Sequence, residues 1–175
     1  MVCLKNLFYG LSGVTLGSLA TAAGFAFMTQ PASAQAAYGS YVGAGVTVGV
    51  TEDALGNGQQ VGGVLAVRYK LLETPVSLRA QALIGSGIAV VPTISYDVPL
   101  NWQTDVYLGV GAAFASGTSP SPVGDKTSLA LQPGVDFVVP NSDTVLFGNA
   151  IIAFDAYRNR GGTAVSVQGG VGLRF

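Results

Sequence analysis

A chain of 175 residues is long enough for one domain. Charged residues supply only 10% of it, well short of the roughly 25% of an ordinary soluble domain. The apolar share is an unremarkable 49%, and 25 glycines fill much of the difference. A formal net charge of −1, with no Lys/Arg run, offers nucleic acid no basic field and excludes that class of partner.

The first stretch, residues 1–36, reads as a secretory signal peptide. One charge, Lys5, precedes an uncharged run from Asn6 to Met28, and small-x-small triplets end at Ala34 and Ala36. That order of positive start, apolar centre and small-residue exit predicts cleavage after Ala34 or Ala36. A retained membrane helix is the competing reading, weakened by the Gly, Ser and Thr content and the processing site. Cys3, the one cysteine, lies in the leader, so export here does not serve disulfide formation.

From residue 37 onward strict alternation replaces long apolar runs. In Tyr41–Val50, Val42, Ala44, Val46, Val48 and Val50 share one face, with Gly43, Gly45, Thr47 and Gly49 on the other. Comparable segments follow at Val61–Leu71, Pro75–Ile84, Ala89–Val98, Asp105–Phe114, Thr127–Val139, Thr144–Phe154 and Thr163–Phe175. Eight segments of this length match strands crossing a bilayer at a tilt. Connectors alternate as well. LETP, PNSD and VPLNWQT are short, whereas TEDALGNGQQ, SGTSPSPVGDK and DAYRNRGG are longer and polar, with GSG a short exception on the long side. Short turns at one end and longer loops at the other characterise outer-membrane barrels.

The charges choose between a barrel in water and one in lipid. With the apolar phase outward, no Asp, Glu, Lys or Arg faces out, and Arg68, Lys70, Arg79, Asp97, Asp105, Asp136 and Arg174 all face in. A soluble carrier barrel would invert that arrangement. Tyr38, Tyr69, Tyr96, Trp102, Phe137 and Phe175 gather at the turn end, and Phe114, Phe154 and Tyr157 at the loop end, as in the aromatic belts of membrane proteins. Pro92 and Pro133 fall inside strands, and a bulge or kink is expected at each.

These features together resemble the small eight-stranded outer-membrane barrels of the OmpA-like transmembrane domain family and its opacity-protein relatives, over Tyr38 to Phe175. The fold implied is all-β: an antiparallel up-and-down transmembrane barrel over residues 37–175. The resemblance is most specific in VQGGVGLRF, where Val167, Val171, Leu173 and the terminal aromatic Phe175 hold outward positions. It implies that Val171, Leu173 and Phe175 form the insertion signal read by the outer-membrane barrel assembly machinery. It further implies that the last strand closes on the first, and that the protein resides as a single copy in the outer-membrane lipid bilayer beside lipopolysaccharide. Arg158 and Arg160 are candidate contacts to that anionic lipid.

An eight-stranded lumen is only just filled by side chains. The hairpin through LETP sets Arg68 roughly opposite Arg79, and the one through VPLNWQT sets Asp97 roughly opposite Asp105. A charge cluster in the turn-side half is therefore expected, with Asp136 and Arg174 as further members and Gly, Ala, Thr and Gln lining the lumen above. Its bland role is a structural plug beneath displayed loops, and its sharper role is the gate of a narrow channel for small solutes or ions. Catalysis lacks support. There is no histidine to act as a base, no Cys/His metal spacing and no phosphate loop, so neither enzyme activity nor a cofactor is expected.

Overall fold

The computed structural model describes residues 39–51, 60–116, 119, 121–158 and 161–175. The leader, Tyr38, most of TEDALGNGQQ and Arg160 lie outside them. Eight strands form: β1 (Tyr41–Gly49), β2 (Val61–Lys70), β3 (Val76–Ile84), β4 (Ile88–Pro99), β5 (Thr104–Ser116), β6 (Ser128–Val138), β7 (Thr144–Phe154) and β8 (Ala164–Arg174). Each pairs antiparallel with its sequence neighbour, and β8 returns to β1 from Tyr41↔Arg174 to Gly49↔Ser166, so the sheet is a closed barrel with no free edge. Closure is what hydrocarbon demands, since an open edge there would strand backbone donors and acceptors.

The period-2 alternation places every second side chain outside. Val46, Val110 and Leu173 are each about 60% exposed, and no charged residue occupies an outward position of any strand. An apolar, charge-free exterior with every strand charge turned inward makes this a transmembrane barrel. Outward on β8, Val167, Val171 and Leu173 are exposed, as is Phe175 just beyond it. Tyr69, Tyr96 and Trp102 are exposed toward the turn end and Phe114 and Phe154 toward the loop end, while Phe137 is half-buried. Tyr157 departs from the expected belt. Its ring packs on the apolar cluster in the barrel mouth, and its hydroxyl hydrogen-bonds with Thr51.

Neither proline makes a bulge. β4 keeps one register with β5 on both sides of Pro92 (Val90↔Phe114, Thr93↔Gly111), and β6 keeps one with β7 on both sides of Pro133 (Leu131↔Ile152, Gly134↔Asn149). Two consecutive residue pairs simply drop out of each ladder, the ones a missing N–H removes. On their other sides, Ala80↔Pro92 and Leu108↔Pro133 remain paired. A strand held on one flank and in register on the other gains nothing from an extra residue, so the eight strands continue unbroken.

Glycines decide where the large rings fit. Tyr41 and Phe147 stack inside the lumen with centroids 6.0 Å apart. They lie over the seam of β1 and β8, where Gly43 pairs Gly172 and Gly45 pairs Gly170. A Cβ on Gly170 would sit 2.6 Å from the Phe147 ring and 2.3 Å from the Ala44 carbonyl oxygen, so the rings occupy the space that side chains would need.

Candidate functional site

The inward face of the turn-side half carries a network built on two arginines. Arg68 on β2 pairs directly across from Arg79 on β3, and the two guanidiniums reach into the lumen toward carboxylates on β4, β5 and β6. Arg68 Nη2 donates to Asp97 at 2.8 Å and to Asp105 at 3.0 Å, and its Nη1 donates to Asp136 at 3.0 Å. Arg79 Nη2 donates to Asp136 at 2.9 Å and Asp97 at 3.3 Å, and its Nε donates to Ser95 at 2.9 Å. The Arg79 guanidinium also lies 3.3 Å from the centre of the Tyr107 ring, a cation–π contact in a desolvated site.

Asp97 is the acceptor hub. Besides both arginines it receives Lys70 Nζ at 3.0 Å, Ser95 Oγ at 2.9 Å and the Ser77 hydroxyl. Asp136 receives Tyr41 Oη at 3.0 Å. Three cations, Arg68, Lys70 and Arg79, thus meet three carboxylates, Asp97, Asp105 and Asp136, and the charges balance. Arg68, Asp97, Asp105 and Asp136 are essentially inaccessible to water, and only Lys70 keeps part of its side chain at the turn-side mouth. Burial this deep is tolerable because nearly every donor finds an acceptor, whereas removing one member would leave charge uncompensated.

Two details differ from the sequence reading. Asp97 pairs across with Tyr107, while Asp105 pairs with Pro99 on one side and with Asp136 on the other. The longer turn shifts the β4–β5 hairpin by two residues, so the two acids expected to face each other meet through Arg68 instead. Arg174 turns away from the cluster, donating to Asp143 Oδ1 at 3.0 Å and to the Ser142 carbonyl at 3.1 Å, where β8 passes the β6–β7 turn. Asn141, with a φ of 57°, gives that turn its left-handed residue, a conformation Asn tolerates.

Above the cluster Thr47, Gln81, Thr93, Gln132 and Gln168 line the lumen together with alanines, as expected, and toward the loop end larger aliphatic side chains join them. Val64, Leu83, Ala89, Val91, Ala113 and Ile151 are buried there. The β5–β6 loop folds into the mouth above them: Ser121 and Gly124 close a tight bridge, and Val123 at its tip is fully buried. Outside that stopper, the Asp125 and Lys126 amides donate to the Ala156 carbonyl, and Arg158 N and Nε donate to Asp125. The loop is therefore clamped to the β7–β8 connection, with Lys126 paired to Asp155. Buried ion pairs thus occupy the lumen near the turns, and apolar side chains occupy it near the loops.

Comparison with known proteins adds the fold. No family model matches the chain, and no curated protein does. Among solved structures, Neisserial surface protein A superposes with a TM-score of 0.57 at 15% identity, over 79% of this chain and 98% of that one. Ail, the attachment invasion locus protein of Yersinia pestis, gives 0.49 at 18% identity, over 78% and 96%. A designed transmembrane β-barrel gives 0.49 at 14% identity, also over 78% and 96%. The likeness is one of fold.

Four members of the network escaped the sequence reading: Tyr41, Ser77, Ser95 and Tyr107. Their signal was present, because each shares the inward phase of its strand with a named charge or with the lumen glycines. Val123 gave a fainter one, a lone aliphatic between Pro122 and Gly124 in an otherwise polar loop.

Proposed function

We propose that this protein is an integral outer-membrane barrel with a structural or surface-interaction role, its lumen plugged by the Arg68–Lys70–Arg79/Asp97–Asp105–Asp136 cluster. The observation that carries the reading is the double closure: a balanced, buried ion network at one end and Val123 seated in an apolar mouth at the other. A barrel stoppered at both ends is suited to holding its clamped loops in a fixed pose. The leader, residues 1–36, delivers the chain across the inner membrane, and Val171, Leu173 and Phe175 present an apolar, aromatic-ended strand to the assembly machinery. The turns then face the periplasm and the loops the exterior, where Arg158 lies within reach of lipopolysaccharide phosphates. The barrel works as a single copy and performs no catalysis, its lumen acids being committed to arginine and lysine.

A narrow channel for small solutes or ions is the second reading, supported by the polar Gln and Thr side chains at the middle of the lumen. Location tests the first reading. Expressed with its leader in a Gram-negative host, the protein is expected in the dense, lipopolysaccharide-rich membrane fraction, migrating faster on gels when unheated. Recovery in the periplasmic or inner-membrane fraction would contradict the proposal.

A further inference from the structure

Between the ion network and the apolar mouth lies a tier of amides. Gln81 on β3, Gln132 on β6 and Gln168 on β8 are each at least 97% buried, and all three point into the lumen at mid-barrel. Each amide end that is satisfied is satisfied locally. Thr93 Oγ1 donates to Gln132 Oε1 at 2.6 Å, and Gln168 Nε2 donates to Ser166 at 2.6 Å and Thr47 at 3.3 Å. The far ends have nothing: among the described residues, Gln132 Nε2, Gln168 Oε1 and Gln81 Oε1 find no hydrogen-bond partner. Turning an amide over does not cure this, because it only exchanges an orphaned donor for an orphaned acceptor.

Buried polar groups of this kind are normally met by protein or by ordered water. Here the unmet set has both signs, one donor and two acceptors. A cation would satisfy only the acceptors and an anion only the donor, whereas water does both. We propose that the Gln81–Gln132–Gln168 tier holds resident water molecules, enclosed between the Arg68/Arg79 network and the Val123 stopper. The apolar residues on the loop side of the tier, the paired Val64 and Leu83 and the Val123 stopper, offer water no partner and form its dry upper wall.

Water–protein Overhauser spectroscopy on the folded barrel in lipid nanodiscs, with the glutamine side-chain amides and the lumen methyls assigned, reads this directly. Long-lived water contacts are expected at the Gln81, Gln132 and Gln168 amides and absent at the Val64, Leu83 and Val123 methyls. No contact at the amides would overturn the proposal, because the tier would be dry. Equal contact at the methyls would overturn it too, because the lumen would be open to bulk solvent rather than enclosed. A high-resolution crystal structure gives an independent reading: solvent density within about 3.2 Å of Gln132 Nε2 and Gln168 Oε1 is expected. Amides rotated onto one another with no density between them would count against it.

Discussion

Arg68 touches all three carboxylates of the lumen, and Arg79 touches two. Removing Arg68 leaves Asp105 without its ion pair and weakens the hold on Asp97 and Asp136, in a site that water does not reach. Loss of one partner from a buried pair costs about 3–5 kcal/mol. Arg68→Ala is therefore expected to lower the free energy of unfolding in lipid vesicles by that order, seen as a lower urea midpoint read by Trp102 fluorescence. Arg174→Ala breaks a partly exposed pair with Asp143 and should cost less than about 1 kcal/mol. Equal losses in the two variants would mean that the network contributes no more than a surface contact.

The paired strands β7 and β8 carry glycine where it is required on the inner face and optional on the outer. On the inner face a methyl at Gly170 would strike the Phe147 ring and the Ala44 carbonyl, whereas on the outer face a methyl at Gly148 comes no closer than 3.9 Å to anything. Gly170→Ala is expected to reduce the yield of heat-modifiable barrel several-fold, and Gly148→Ala to leave it unchanged. The prolines give a second contrast. Pro92→Ala restores an N–H facing β5 without altering the register, so a slowly exchanging amide should appear at residue 92, with a urea midpoint equal to or above that of the parent. A fall in the midpoint would mean that the proline shapes the strand in a way its pairing does not reveal. The strands themselves were legible because alternation is a local property of sequence, and all eight lie within two residues of their predicted bounds. The β4–β5 register was not legible, since VPLNWQT leaves the hairpin length open and a two-residue shift preserves which side chains face in.

For the whole molecule, the separation of charge from the exterior is what makes lipid its solvent. A lysine at an outward mid-strand position meets hydrocarbon, at a cost of about 2–4 kcal/mol near the bilayer centre. Val110→Lys is expected to lose that much folding stability in vesicles, while Val110→Leu, which keeps the outward face apolar, should lose little. Both the charge cluster and the lipid face could be read from parity alone. The stopper could not, because whether a loop residue such as Val123 enters the barrel depends on the diameter of the mouth and on clamps between distant loops. A sealed, lipid-embedded barrel is most directly tested by planar-bilayer conductance of the folded protein, wild type beside Arg79→Ala, after heat-modifiable migration has shown that both are folded. The account predicts a silent wild type, and silence in the variant as well, since the Val123 stopper remains when the ion network is weakened. Discrete conductance steps in the wild type, changing in size or frequency in Arg79→Ala, would contradict it and make the inward charges the gate of a pore.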